Sequence, residues 1–159
     1  MSQSNLSKWL KFITIGVALC LAIVYFFVIP ELGTSLASQY PEFAFCYLPW
    51  LIFLVLTSIP CYTALVYGWK IAVEISRDNS FSYANSASLR MIALLALIDS
   101  AYFFIGNIVF LLLNMSHFGI LLLSFLVDTI GIAIAVISAA LSHMVYKSAK
   151  LKEENDLTI

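Results

Sequence analysis

Charge is what this sequence has least of. Of its 159 residues, 11% are Asp, Glu, Lys or Arg, against 62% hydrophobic residues and a mean hydropathy of +0.99. Soluble domains carry about 25% charged residues, so there is too little polar surface here to cover a water-soluble globule. Cysteine is also scarce: the three present, an odd number, do not make a disulfide framework. Cys20, Cys46 and Cys61 read as small apolar fillers. No glycine-rich phosphate loop occurs, and no Ser, His and Asp arrangement suggests a hydrolase. The two histidines, His117 and His143, stand apart from any Cys, His or acidic residue at metal-ligand spacing. Cys20 or Cys61 could serve as a nucleophile, but neither has a base near it in sequence. No catalytic, cofactor-binding or metal-binding residue is assigned, and no enzymatic activity is expected.

What is there is four apolar runs, at roughly 9–29, 46–71, 91–113 and 118–146. Each approaches or exceeds the ~20 residues that cross a ~30 Å hydrocarbon core. Lipid offers the backbone no hydrogen-bond partners, so runs of this length are helices. The prediction is an all-α integral membrane four-helix bundle, made of two antiparallel transmembrane hairpins in one domain over 1–159. A loop at 72–90 joins the hairpins, and a tail follows from 147 to 159.

Charge placement orients the chain. The eight basic residues fall in three places: Lys8 and Lys11; Lys70, Arg77 and Arg90; Lys147, Lys150 and Lys152. With four spans these segments share one side, and the other side holds only Glu31, Glu42 and His117. Basic residues near span ends mark the cytoplasmic face, so both termini and the central loop are expected inside the cell membrane. The first run is longer than a signal h-region and is expected to be retained.

Local features follow from proline and polar residues. Pro30 is expected to end the first helix, with an outer loop at 31–44 lying at the headgroup level. Pro60 is expected to kink the second span, with Thr57 compensating for freed carbonyls. Asp78-Asn79-Ser80 is a turn, Ser82 an N-cap and Phe81 a hydrophobic staple for the helix that continues through Arg90.

Four motifs resemble one known family. Tyr40-Pro41-Glu42-Phe43, Ile59-Pro60, Asp78-Asn79-x-Phe81-Ser82 and the terminal Glu154-Asn155-Asp156-Leu157-Thr158-Ile159 resemble the YoaS-like bacterial four-helix membrane proteins. Members often end in Glu-Asn-Asp-Leu-Thr-Val, and Ile159 departs from that final Val. The resemblance implies no activity and no site residues. It implies genomic company, a small helix-turn-helix regulator of the phage-repressor type, which is association and not mechanism.

Asp99 and Asp128 are the most informative single residues. At 1.5 Å per residue, Asp99 lies about 12 Å in from the cytoplasmic side and Asp128 about 15 Å in from the outer side. Both therefore fall near the midplane on consecutive antiparallel helices, where close approach of the side chains is expected. On the fourth span Ser124, Asp128, Gly131, Ala135, Ser138 and Ser142 repeat at spacings of four and three, a small-residue stripe suited to a neighbouring helix. No Lys or Arg lies in the third or fourth run, and Lys11 and Lys70 stand at the ends of the first two, so desolvation and mutual repulsion favour at least one protonated carboxyl. Intramembrane acids often mark transport pathways, whereas protonated acids can also act as polar glue between helices.

Two functions from different classes follow. The first is a non-enzymatic regulatory or adaptor protein that uses Arg77, Arg90 and the tail anchors Leu157 and Ile159 to hold a cytoplasmic partner, plausibly the helix-turn-helix regulator. The second is a small proton-coupled transporter or channel component using the Asp99 and Asp128 pair, which would need a homo-oligomer. The expected partners are thus the lipid bilayer and a cytoplasmic regulatory protein, with no direct contact to nucleic acid.

Overall fold

Apolar sequence of this length folds as helix throughout the computed structural model, which describes residues 3–156. Helix α1 spans Gln3–Ile23, α2 Ile29–Gln39, α3 Tyr47–Ser76, α4 Tyr83–Leu112 and α5 Phe118–Asp156. A π-helical turn, Val24–Val28, joins α1 to α2, and a 3-10 turn, Pro41–Cys46, joins α2 to α3. The result is four helical rods long and apolar enough to cross a membrane, with no strand among the described residues.

The first rod does not end at Pro30. The Ile29 N–H donates to the Val24 carbonyl, five residues back, so the backbone changes register just before the proline. Pro30 then occupies the first turn of α2, where its missing N–H costs least. The chain leaves the helix ten residues later at Tyr40 (φ −127°, ψ 75°), because the residue before Pro41 is pushed out of the α region. Pro60 lies inside α3, and the Thr57 and Ser58 hydroxyls donate to the Leu54 and Val55 carbonyls in the turn before it (2.7 and 2.6 Å).

The polar loop between α3 and α4 is closed by its own side chains. Asp78 adopts a left-handed conformation (φ 61°), and the Asn79 N–H folds back to the Glu74 carbonyl (3.1 Å). Ser82 caps α4, its hydroxyl accepting from the Asn85 N–H at 3.2 Å. The buried Asn85 amide donates to the carbonyls of Asn79 and Ser80 (3.2 and 2.9 Å), which fixes the loop to the helix it precedes.

The rods lie in a row in chain order. Helix α1 packs on α3, α3 on α4 and α4 on α5, and α1 does not meet α5 among the described residues. Helix α5 accordingly buries one stripe, Ser124, Asp128, Ala135, Ser138, Ser142 and Ala149, against α4. The facing stripe on α4 is Ser86, Ala93, Ser100 and Asn107, spaced by seven. Seven-residue spacing on one helix against alternating threes and fours on the other is the pattern of near-antiparallel, coiled-coil-like packing. Two contacts set the register: Ser86 and Ser142 exchange hydroxyl-to-carbonyl hydrogen bonds (2.9 and 2.8 Å), and Ser100 sits over Gly131, where a Cβ would collide with its hydroxyl.

The α3–α4 contact is aromatic instead. Phe53, 6% exposed, stacks on Phe103 and meets Trp50, Tyr102 and Phe110, with its ring pressed on Gly106. Such pairs add about 0.5–1.5 kcal/mol each beyond their burial. Ring neighbours on several sides leave Phe53 no room to yield. Gly106→Ala is therefore expected to destabilise the protein by about 1–3 kcal/mol through overpacking. Gly16→Ala, where a Cβ meets nothing within 4 Å, is expected to be neutral or slightly stabilising. Thermal unfolding of both variants in the same detergent checks the contrast.

Candidate functional site: buried polar groups and the charged end

Helix α4 separates the two aspartates. Asp99 faces α3, where its Oδ2 accepts from the Cys61 thiol at 3.5 Å. Asp128 lies in the other groove, between α4 and α5, and is 4% exposed. The register of Ser86 with Ser142 and Ser100 with Gly131 sets position 128 opposite positions 100–103 of α4, at most about 6 Å along the helix from Asp99. The two carboxyl groups share no hydrogen bond among the described residues. They flank one helix.

Asp99 ends a chain of polar side chains. The Tyr25 hydroxyl, in the π-helical turn, pairs with the Thr57 hydroxyl at 2.7 Å and points to the Cys61 sulfur at 4.0 Å. The Cys61 thiol then reaches Asp99. Three of the four rods thus contribute to one run of hydroxyl, thiol and carboxyl groups. Cys61, a filler by sequence, is a hydrogen-bond donor here. Sequence reading had no means to join Tyr25 to Cys61, because the π turn that aims Tyr25 leaves no mark in residue spacing.

The α4–α5 groove is different in chemistry. Both Asp128 carboxyl oxygens and Asn107 Oδ1 are buried without a hydrogen-bond partner among the described residues. The Asn107 amide nitrogen is used, donating to the Phe103 carbonyl at 2.8 Å. Asn107 is legible from sequence, since it lies seven residues past Ser100 on the face beside that of Asp99. The groove therefore holds orphan acceptors in an interface otherwise built from small side chains.

The charged end is tied together by its own contacts. Gln3 Oε1 accepts from the Ser80 hydroxyl (2.8 Å), and the Ser7 hydroxyl donates to the Ala72 carbonyl (2.6 Å). The Tyr83 hydroxyl donates to Glu153 Oε2 at 2.8 Å, while Tyr83 and Tyr146 meet edge to face. Arg77 is exposed with a 3.4 Å contact to Glu74, and Arg90 is exposed on α4. Leu157 and Ile159 lie outside the described residues.

A chain of four long apolar helices with polar groups sequestered between them is a multi-span α-helical membrane protein. The model of the family described as "Protein of unknown function (DUF2975)" matches residues 31–159, and the chain belongs to that family. It is 26% identical over 153 residues to the "Uncharacterized membrane protein YoaS" of Bacillus subtilis (strain 168), covering 95% of this chain and 96% of that protein. No solved structure matches it.

Two predictions follow from these geometries. Asp128→Ala removes two unsatisfied acceptors from a groove suited to small side chains, and is expected to stabilise the fold by about 1–3 kcal/mol. A lower unfolding temperature in detergent at neutral pH would mean that the carboxyl has a partner. The second concerns the charged end, where the Glu153 carboxylate, by accepting the Tyr83 hydrogen bond, raises the Tyr83 pKa above its ordinary value. A raised phenol keeps the contact intact through the neutral range and loses it as pH climbs through the shifted value. Ultraviolet difference titration against Tyr83→Phe should show this phenol ionising later than a free tyrosine, and Glu153→Ala should move it back.

Proposed function

We propose that the chain is a non-enzymatic regulatory or adaptor protein of a bacterial inner or plasma membrane, with both termini in the cytoplasm. It holds a cytoplasmic partner, of the small helix-turn-helix regulator class, at its charged end. The supporting observation is the Tyr83–Glu153 hydrogen bond, which joins the start of α4 to the last turns of α5. The helix leading to Leu157 and Ile159 thereby stands beside the loop that carries Arg77. A short apolar terminus next to a basic loop is suited to capture by a partner's groove, with affinity from the anchors and orientation from the charges.

A second reading is favoured by one observation, the unpartnered Asp128 carboxyl. A buried acceptor without a donor carries a cost that an alanine there would avoid, and intramembrane acids often belong to proton or cation pathways. On this reading Asp128 and the Asp99–Cys61 pair on either side of α4 are proton-carrying groups, and a second copy of the chain completes the path.

The test is mass spectrometry of proteins crosslinked to the membrane-embedded chain in its own host. A full-length chain is compared with one ending at Glu153 and with Arg77→Ala/Arg90→Ala. The adaptor reading expects one soluble regulator captured by the full-length chain and lost, at least tenfold, from both variants, with Asp99→Asn and Asp128→Asn leaving capture intact. Equal capture by all forms would overturn it. Proton flux in vesicles abolished by both Asp→Asn changes, with tail truncation harmless, would establish the second reading.

A further inference from the structure

The groove between α4 and α5 gathers oxygen acceptors. Asp128, Ser124 and Asn107 are buried in it, at 4%, 4% and 1% exposure. Neither Asp128 carboxyl oxygen meets a hydrogen-bond donor among the described residues, and nor does Asn107 Oδ1. The side-chain donors nearby are engaged within their own helices. The Ser124 hydroxyl donates to the Leu121 carbonyl and the Asn107 amide to the Phe103 carbonyl, both at 2.8 Å. Turning the Asn107 amide over would set its oxygen against that carbonyl, so nitrogen stays there and Oδ1 is left for the groove.

Register brings the three residues together. The Ser86–Ser142 and Ser100–Gly131 contacts set Asp128 opposite 100–103 of α4 and Ser124 opposite 104–107. Side chains on a helix tilt toward its N-terminus. Because α4 and α5 run antiparallel, Asp128 leans toward Ser124, one turn before it. Asn107 leans the opposite way, back over its own turn to Phe103. The carboxyl, amide and hydroxyl oxygens thus converge on the stretch of groove between Phe103 and Asn107.

The charge balance there is one-sided. Between 91 and 146 there is no Lys or Arg, and the acids are Asp128 and Asp99, of which Asp99 faces α3. The histidines of this segment stand apart, His117 in the α4–α5 turn and His143 exposed on α5. A buried carboxylate without a counter-charge is costly, and carboxylate, amide and hydroxyl oxygens are the ligands of hard cations. One carboxylate balances one positive charge, whereas a divalent ion would leave the groove charged. No group of three His, Cys, Asp or Glu that could hold a metal ion occurs among the described residues. The orphan oxygens are closed to water, so an ion among them is small and stripped of its hydration, which favours sodium over potassium.

We propose that the α4–α5 groove binds one dehydrated sodium ion, held by the Asp128 carboxylate, Asn107 Oδ1 and Ser124 Oγ. Closure is what such a site requires, since its ligands face one another and not solvent. The ion supplies the charge that the carboxylate lacks and joins α4 to α5. It does so without crossing the membrane, and the site therefore depends on neither function given above.

The experiment measures radiosodium binding by scintillation proximity on the purified full-length chain, in detergent and choline chloride buffer. Saturable binding is expected, displaced by unlabelled sodium and not by equal potassium. Asp128→Asn should abolish it, and Asn107→Ala and Ser124→Ala should each weaken apparent affinity about tenfold. Thr129→Val, next to Asp128 but exposed on α5, should bind as the native chain does. Sodium should also raise the unfolding temperature of the native chain by about 5 °C over choline, which carries the test if a variant does not fold. The stabilisation expected of Asp128→Ala belongs to the ion-free chain, and sodium should shrink it. Binding that survives in Asp128→Asn would place the ion elsewhere and overturn the proposal. Unchanged affinity in Asn107→Ala and Ser124→Ala would overturn the ligand set. An unfolding temperature that answers to pH and not to sodium, without saturable binding, would overturn the ion in favour of a proton on the carboxyl.

Discussion

Close approach between helices is the constraint on which this molecule depends. Lipid tails are as apolar as leucine, so burying apolar side chains between helices gains little over leaving them in the bilayer. What remains is contact at short range and hydrogen bonding across interfaces. The α4–α5 groove supplies both, through a column of Ser, Ala and Gly that lets the Ser86 and Ser142 backbones and hydroxyls exchange hydrogen bonds. The α3–α4 groove solves the same problem with Phe53 set against Gly106, a large ring placed where a side chain is missing. Most of the surface of α5 can then be Leu, Ile, Val and Phe facing lipid, with no loss of specificity.

The row arrangement distributes polarity in an unusual way. In a closed bundle the inward faces of all four helices converge on a single axis. Here each groove is separate and each carries its own chemistry: a run of hydroxyl, thiol and carboxyl between α1, α3 and α4, in which Asp99 Oδ1 alone is left without a partner, and the wholly unpartnered Asp128 carboxyl with Asn107 Oδ1 between α4 and α5. Among the described residues, helix α4, packed on two sides, is the element that borders both. Its Asp99 and Asn107 belong to different grooves although they are only eight residues apart.

Much of the fold was legible in the sequence because its causes are local. Apolar runs of span length, the Ser82 cap, the turn at Asp78 and Asn79 and the small-residue period on α5 each follow from neighbours within a few positions. The failures came from register. Pro30 looked like a helix end because the rule for proline assumes α geometry, and a π turn before it changes which carbonyl would have been orphaned. Counting from run ends placed the aspartates at nearly one height, and the register contacts set position 128 opposite 100–103 of α4; what counting could not give is that Asp99 and Asp128 face different grooves. Cys61 gave no hint of its role, since the groups it touches, Tyr25 and Asp99, lie 36 and 38 residues away. Of the residues proposed for docking, Arg77 and Arg90 were legible as exposed charge, while Leu157 and Ile159 fall beyond residue 156.

The unbroken first rod has a mechanical consequence. Gln3–Gln39 is 37 residues of helix, about 55 Å at 1.5 Å per residue, in a membrane whose hydrocarbon core is about 30 Å thick. Such a rod must lean, protrude or bend, and the balance among these shifts with bilayer thickness. Because α1 is held on one side only, by α3, lateral support is weakest on this rod and on α5. The π turn is the point where backbone register is already altered, and Tyr25 within it holds Thr57. The Tyr25–Thr57 hydrogen bond is thus the contact that ties this turn to α3, whatever lean the bilayer imposes on the rod.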